Sequence, residues 1–219
     1  MFLSAPVQEV HRVSDEHFRI AALRRCGQHC HDTGRQCRNI KQTGERCSAQ
    51  LDEHGHHGAT CECGGAMVRR HNGVRDLLLK RLAEHLGAST HIEQRVESMA
   101  GAGRREARLD VAVTVPGATT NYLDVAIVEA YSANAGVELQ RADRPAAAEM
   151  MEGKKRNKYG ANERMIPFVL EAHGRLGPSA RRWLGRVYKR LPELRRALLQ
   201  ELAAAIQCHT AAMVVASAC

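Results

Sequence analysis

The chain has 219 residues, 44% of them hydrophobic, enough for one domain of moderate size or a small module joined to a larger one, and enough to bury a core. No run of 18 clean apolar residues occurs, and the start "MFLSAPVQEVHR" has no positive n-region, so the expectation is no membrane span, no signal peptide and an intracellular, not secreted, protein. Lys and Arg number 32 against 24 Asp and Glu, a formal net charge of +8, which favours a polyanionic partner, nucleic acid first.

In chain order, "SDEHFRIAALRRCG" (14–27) opens with Ser14, a good N-cap, followed by acids. Phe18, Ala21, Ala22 and Arg25 keep helical spacing, which predicts a short helix. The next stretch, 26–65, is rich in Gly, Cys and His and nearly empty of apolar side chains, so hydrophobic burial cannot order it. It holds six of the eight cysteines, and clustered Cys and His in an intracellular chain point to metal more than to disulfides. The best tetrad is Cys37, Cys47, His57 and Cys61, spaced C-x9-C-x9-H-x3-C. Two thiolates with further N or S ligands suit tetrahedral Zn²⁺. Cys26, Cys30, Cys63, His29, His31 and His54 are competing ligands.

A helix is predicted over "NGVRDLLLKRLAEHLG" (72–87), with Asn72 as cap, Val74, Leu77, Leu78, Leu82 and Leu86 on one face, and Gly87 as its end. Strands follow at "HIEQRV" (91–96), "ARLDVAVTV" (107–115) and "YLDVAIVEA" (122–130). Residues 145–159 read as a helix with Pro145 in its first turn and Gly160 past its end. "MIPFVLEA" (165–172) is a strand that Pro167 places at an edge or a bulge. From Ser179 the pattern is helical, broken at Pro192, and the apolar tail reads as a buried or partner-docking helix. Trp183 and Tyr188 read as core. The sum is an α/β fold with an αβββαβ core around a mixed sheet, preceded by a Cys/His module and followed by helices. The predicted boundaries are 1–65, 66–190 and 191–219.

Two aspartates interrupt apolar strands. Alternation places Leu109, Val111 and Val113 on one face and Asp110 on the other; Leu123, Val125 and Ile127 oppose Asp124 in the same way. A hairpin centred on Gly117 would set Asp110 directly opposite Asp124, Cβ atoms roughly 5 Å apart. Like charges there repel unless a cation sits between them, and two carboxylates with a few waters suit Mg²⁺. The alternative is that one of them pairs with Arg108 or another arginine and does no chemistry.

In order along the chain, "CRNIKQTGERCSAQLDEHGHHGATC", "GGAMVRRHNGVRDLLLKRL", "RLDVAVTVPGATTNYLDVAIV", "EGKKRNKYG" and "FVLEAHGRLG" resemble the restriction-endonuclease-like, or PD-(D/E)xK, endonuclease region of non-LTR retrotransposon polyproteins, over roughly residues 37–190. The resemblance implies a restriction-endonuclease-like fold and a metal-dependent DNA endonuclease. Asp110 and Asp124 would hold catalytic Mg²⁺ or Mn²⁺, and the zinc motif selects His57 over His56. The family's proline before the first Asp is Leu109 here. Its lysine two residues after the second carboxylate is Ala126, and in the retrotransposon subgroup the next helix supplies that charge. Lys155 matches best, with Glu152 and Tyr159 on one helical face, and Lys158 is the alternate. Glu171 is either structural or supports the site from behind.

A folded zinc module could place basic residues on a phosphate backbone: Arg69, Arg70, His71 and Arg75, with Arg108 and Arg156. His71 and Arg75 could equally cap and solvate the helix. In a retroelement the nick would supply a 3′-hydroxyl primer, with element RNA and a reverse transcriptase as further partners and a nuclear location in a eukaryote. Two rival readings are a catalytically inactive nucleic-acid-binding remnant and a zinc-scaffolded protein-interaction domain.

Overall fold

The structure, a computed structural model, describes residues 13–32, 34–96, 107–130, 145–160 and 162–219; the expectation for the first twelve residues lies outside that set. The elements are α1 (Asp15–Arg25), α2 (His56–Thr60), a 3-10 turn (Cys63–Gly65), α3 (Ala66–Leu86), β1 (Ser89–Val96), β2 (Ala107–Thr114), β3 (Asn121–Val128), α4 (Ala146–Tyr159), β4 (Met165–Glu171), α5 (Pro178–Val187) and α6 (Pro192–Ala218). From α3 to β4 this is the αβββαβ order, and the protein is α/β.

The four strands lie in the order β1-β2-β3-β4, with β1, β2 and β3 antiparallel in turn and β3 parallel to β4. Parallel neighbours need a crossover, and α4 is on it. Val111 faces Leu123 and Val113 faces Asn121, the register that a turn at Gly117 predicts. Gly117 takes φ 76°, which a residue with a Cβ rarely adopts. Pro167 lies on the edge strand, where its missing N–H costs no ladder bond on the open side.

Both faces of the sheet are covered at β3 and β4, while β1 carries no buried residue. Val111, Val125 and Phe168 pack against α3, α5 and α6 through Leu78, Trp183 and Leu202. On the other face Val128 and Val169 meet Ala147 and Ala148 of α4. All seven residues of β4 are therefore buried, as expected for a strand between two helical layers. Trp183 and Tyr188 are core, each 1% exposed; Trp183 stands edge-on to Phe168 and donates to Asn121 Oδ1 at 2.7 Å.

Three local expectations change. α3 begins at Ala66 after Gly65, so Asn72 is not its cap: Asn72 lies two turns inside, its Oδ1 3.2 Å from His71 Nδ1. On α1 the buried face carries Ile20, Ala21 and Arg24, and Phe18 is 51% exposed, because α1 packs on α6 through Ile20. The tail is one 27-residue helix, long and apolar enough by composition to cross a membrane. Its apolar side chains go instead to α1, α3 and the Cys/His module, with Leu198, Leu202, Ile206 and Val214 all buried.

Candidate functional site

The Cys/His module folds around four donors. Cys37, Cys47, His57 and Cys61 bring one ligand atom each within 4.8 Å of all the others. Cys37 and Cys61 sulfurs are 3.8 Å apart, and Cys47 Sγ lies 3.5 Å from His57 Nε2. Zn–S bonds of about 2.3 Å and Zn–N bonds of about 2.0–2.1 Å give tetrahedral edges of about 3.8 Å for S–S and about 3.5 Å for S–N. The cluster therefore fits a structural zinc. Burial pushes the Cys37 thiol up to about 12, with Cys61 adding to the shift, so only a bound cation makes the thiolate the favoured form.

The local sequence explains how His57 gets there. Asp52 accepts the backbone N–H of His54 and His56 on Oδ1 and of His57 on Oδ2, at 3.1, 2.9 and 2.7 Å, and so caps α2. These bonds hold the Asp52 carboxyl below its ordinary range against the effect of burial. Gly55, at φ 69°, and Gly58 let α2 lie against α6: a Cβ on Gly58 would meet Ser217 Oγ at 2.6 Å and the Val214 Cα at 3.0 Å. Sequence reasoning missed Asp52, although an Asp a few residues before a predicted ligand His is a capping signal.

The second cluster is built on the sheet. Beyond Val111 and Leu123, β2 and β3 no longer pair with each other, while each stays paired with its outer neighbour. Asp110 stands at that parting. Its Oδ2 accepts the Val125 N–H at 2.7 Å and lies 3.3 Å from His71 Nε2 of α3. Asp124 is 5% exposed, and its Oδ2 sits 2.8 Å from Lys155 Nζ of α4. That contact is an ion pair without hydrogen-bond geometry, so Oδ2 has no hydrogen-bond partner. Lys155 Nζ also lies 3.5 Å from the Val125 carbonyl oxygen. Asp110, Asp124, Lys155 and His71 thus gather around one residue, Val125.

The electrostatics separate the two carboxyls. Burial would raise Asp110, but His71, the Val125 N–H and Lys155 together hold it below its ordinary value. Burial raises Asp124 above its ordinary value, the Asp110 charge adds to that, and Lys155 opposes it without prevailing. His71 is held above its ordinary value by its bond to Asp110.

Compared with protein-family models and with curated proteins, the chain matches none. The remaining residues are placed by geometry alone. Lys158 turns to Tyr159, with Nζ 2.7 Å from its hydroxyl, which in turn donates to the Arg108 carbonyl. Glu152 is buried and accepts Ser179 N–H and Oγ at 2.9 and 2.7 Å, tying α4 to the first turn of α5. Glu171 is buried, faces the N–H groups of Ala148 and Ala147 in the first turn of α4 and lies 3.6 Å from Arg175 Nε, with Oε1 short of a hydrogen bond.

Of the basic residues, Arg69 is exposed and donates to the Gly64 carbonyl at 2.8 Å. Arg108 is exposed and pairs with Glu93 at 2.6 Å. Arg156 is exposed near Glu152 and Ser179, and Arg75 pairs with Asp76 at 2.8 Å. Arg70 is a correction. It is 3% exposed and donates to Thr210 Oγ1 of α6 at 3.1 Å, since α3 starts early enough to turn it inward; it has no surface with which to meet a phosphate.

Proposed function

We propose that this protein is a metal-dependent DNA endonuclease of the restriction-endonuclease-like, PD-(D/E)xK kind, nicking target DNA for a retroelement. The single observation that carries the reading is the approach of Lys155 to Asp124 at 2.8 Å beside Asp110, because the lysine expected two residues after Asp124 is Ala126. A lysine from the next helix supplies the charge that the strand lacks.

On this reading the two carboxyls, with Asp124 Oδ2 buried beside the Lys155 ammonium, would take a hard divalent cation. Asp110 and Asp124 would hold Mg²⁺ or Mn²⁺, which supplies Lewis-acid stabilisation of phosphate charge. Hydrolysis adds water to phosphorus and breaks the P–O3′ bond, leaving a 3′-hydroxyl and a 5′-phosphate. Lys155 orients the water and stabilises the charge that develops on phosphate oxygens. His71 is a positioning residue that holds the Asp110 carboxylate. Arg69, Arg108 and Arg156 supply exposed positive charge for the DNA backbone, while zinc folds the module in front of α3. Element RNA and a reverse transcriptase are the partners this reading implies, in the nucleus if the host is a eukaryote.

A second reading has its own observation. His71 pairs with Asp110 and Lys155 with Asp124, so each carboxyl already faces a cation, and an inactive DNA-binding remnant would be stable as it stands. Nicking of supercoiled plasmid separates the two. Wild type with Mg²⁺ or Mn²⁺ should give open circles. Lys155→Ala should slow this by about a hundredfold or more, the scale of one lost acid–base or electrostatic group. Lys154→Ala, turned about 100° around the helix, should change it little. DNA bound but never nicked by the zinc-loaded wild type leaves the binding remnant as the better account.

A further inference from the structure

We propose that the protein carries a second site for a divalent transition metal, held by His29, Glu53 and His54 on the outside of the Cys/His module. The three residues come from two segments, the turn after α1 and the turn that leads into α2. Their ligand atoms lie within 4.8 Å of one another. Glu53 Oε1 is 3.4 Å from His29 Nε2 and 3.4 Å from His54 Nε2. The two imidazoles meet edge to face with centroids 5.2 Å apart.

The distances suit a metal site, and what sets this cluster apart from a simple ion pair is that one carboxylate oxygen meets two imidazoles at once. Charge-assisted N–H···O bonds run to about 2.7–2.9 Å. Metal–ligand bonds of about 2.0–2.1 Å to imidazole nitrogen and carboxylate oxygen give tetrahedral edges of about 3.3–3.4 Å. Both carboxylate-to-imidazole separations are compatible with the second figure. The donor set is two imidazoles and one carboxylate, which suits Zn²⁺ and the metals beside it better than Mg²⁺ or Ca²⁺. Three protein ligands leave one coordination position for water or an anion.

The backbone already holds the two segments in place. Cys30 N–H donates to the Glu53 carbonyl at 2.6 Å, and Arg24 Nε donates to the His54 carbonyl at 3.3 Å. The donors are thus brought together by bonds to the Glu53 and His54 carbonyls, one from a main-chain N–H and one from Arg24, that do not use the side chains of His29, Glu53 or His54. Exposure sets the character of the site. The His29 side chain is 65% exposed and that of Glu53 37%, so the ion exchanges with solvent far more readily than one held by buried Cys37 and Cys61. A divalent ion there also offsets the charge of Glu53 in a cleft that Arg19 and Arg35 line together with Glu16 and Asp32.

The test is a metal count on the full chain, with Co²⁺ as spectroscopic probe. Wild type equilibrated with micromolar free Zn²⁺ should hold two ions per chain, the weaker one removed first by a mild chelator. The double variant His29→Ala, His54→Ala should hold one, and Glu53→Gln should weaken the second equivalent at least tenfold. Because the fixing bonds do not use the substituted side chains, these variants keep the fold, which the thiolate-to-cobalt band of the first site reports. The second Co²⁺ equivalent should add ligand-field absorption without further thiolate charge transfer. One ion per wild-type chain at saturation overturns the proposal. So does a second ion that survives the double variant, or one that adds a thiolate band, since a cysteine would then be its ligand.

Discussion

The segment from Cys30 to Gly65 and the αβββαβ layer behind it reach order by different routes. Behind the site, Val111, Val125, Phe168 and Trp183 are buried by packing, and the sheet and its helices would hold without any ion. In the module one buried cluster is Cys37, Leu51 and Cys61, with Cys47, Cys63 and Ala218 against it, and three of the four proposed zinc ligands are in that list; Cys30 and Ala59 are buried separately against α1 and α6. Leu51, Ala59 and a few thiols are little apolar burial to set against the entropy of ordering this many residues. The Cys37, Cys47, His57 and Cys61 cluster suggests that a structural zinc supplies the difference. The comparison teaches where function can sit: the packed layer holds two aspartates and a lysine around Val125, and the Cys/His module is a separate cluster that packs on α1 and α6.

The largest break in that comparison is removal of zinc. Structural Zn²⁺ in small modules supplies an apparent binding energy of about 10–16 kcal/mol at neutral pH, which appears as folding energy. A strong chelator, or Cys61→Ser, should abolish amide protection across residues 35–62 and in the last turns of α6, which Arg38 and Gly58 touch. Protection in β2, β3 and β4 should persist. Hydrogen exchange reads both at once, and uniform loss across the chain would show that the layers are one cooperative unit.

A smaller effect probes the joint between the layers. Arg24 of α1 pairs with Glu129 at the end of β3, and His173 after β4 lies 3.9 Å from the same carboxylate. Burial, with Arg24 and Arg175 nearby, pushes His173 down from 6.5 to about 4 although Glu129 opposes it. The folded protein then binds fewer protons than the unfolded one between those values, so stability falls as pH drops from about 6.5 toward 4 and is fully present above. The loss is on the order of 3 kcal/mol. His173→Asn should lose less stability than wild type over that window in denaturant titrations; parallel curves would remove His173 from the account.

Smallest is Gly58→Ala, which sharpens the contact of α2 with α6. The added methyl meets Ser217 Oγ and the Val214 backbone, an overpacking cost of about 1–3 kcal/mol. Zinc should still bind, with a lower melting temperature for the module alone.

Much of the layer was legible in the sequence because alternation and turn chemistry are local signals. The Gly117 turn set the register of β2 on β3, and Pro167 marked β4 as an edge. Residues 152, 155 and 159 faced inward together as helical spacing requires. The Cys3His set followed from spacing and resemblance. The start of α3 was not legible, since Gly64 and Gly65 hid a helix whose first turns carry Arg69 to His71. That error concealed two things: Arg70 points inward to Thr210, and His71 reaches Asp110. Contacts such as Arg24 with Glu129 join residues far apart in sequence, and no periodicity announces them.

The most direct measurement is plasmid nicking by zinc-loaded wild type against Asp124→Asn, with Mg²⁺ or Mn²⁺ and with DNA affinity measured on the same samples. The account predicts open circles from wild type and none from Asp124→Asn, with zinc content and DNA affinity equal in the two. Equal nicking by both proteins would contradict it, because the carboxylate beside Lys155 would then have no part in the reaction.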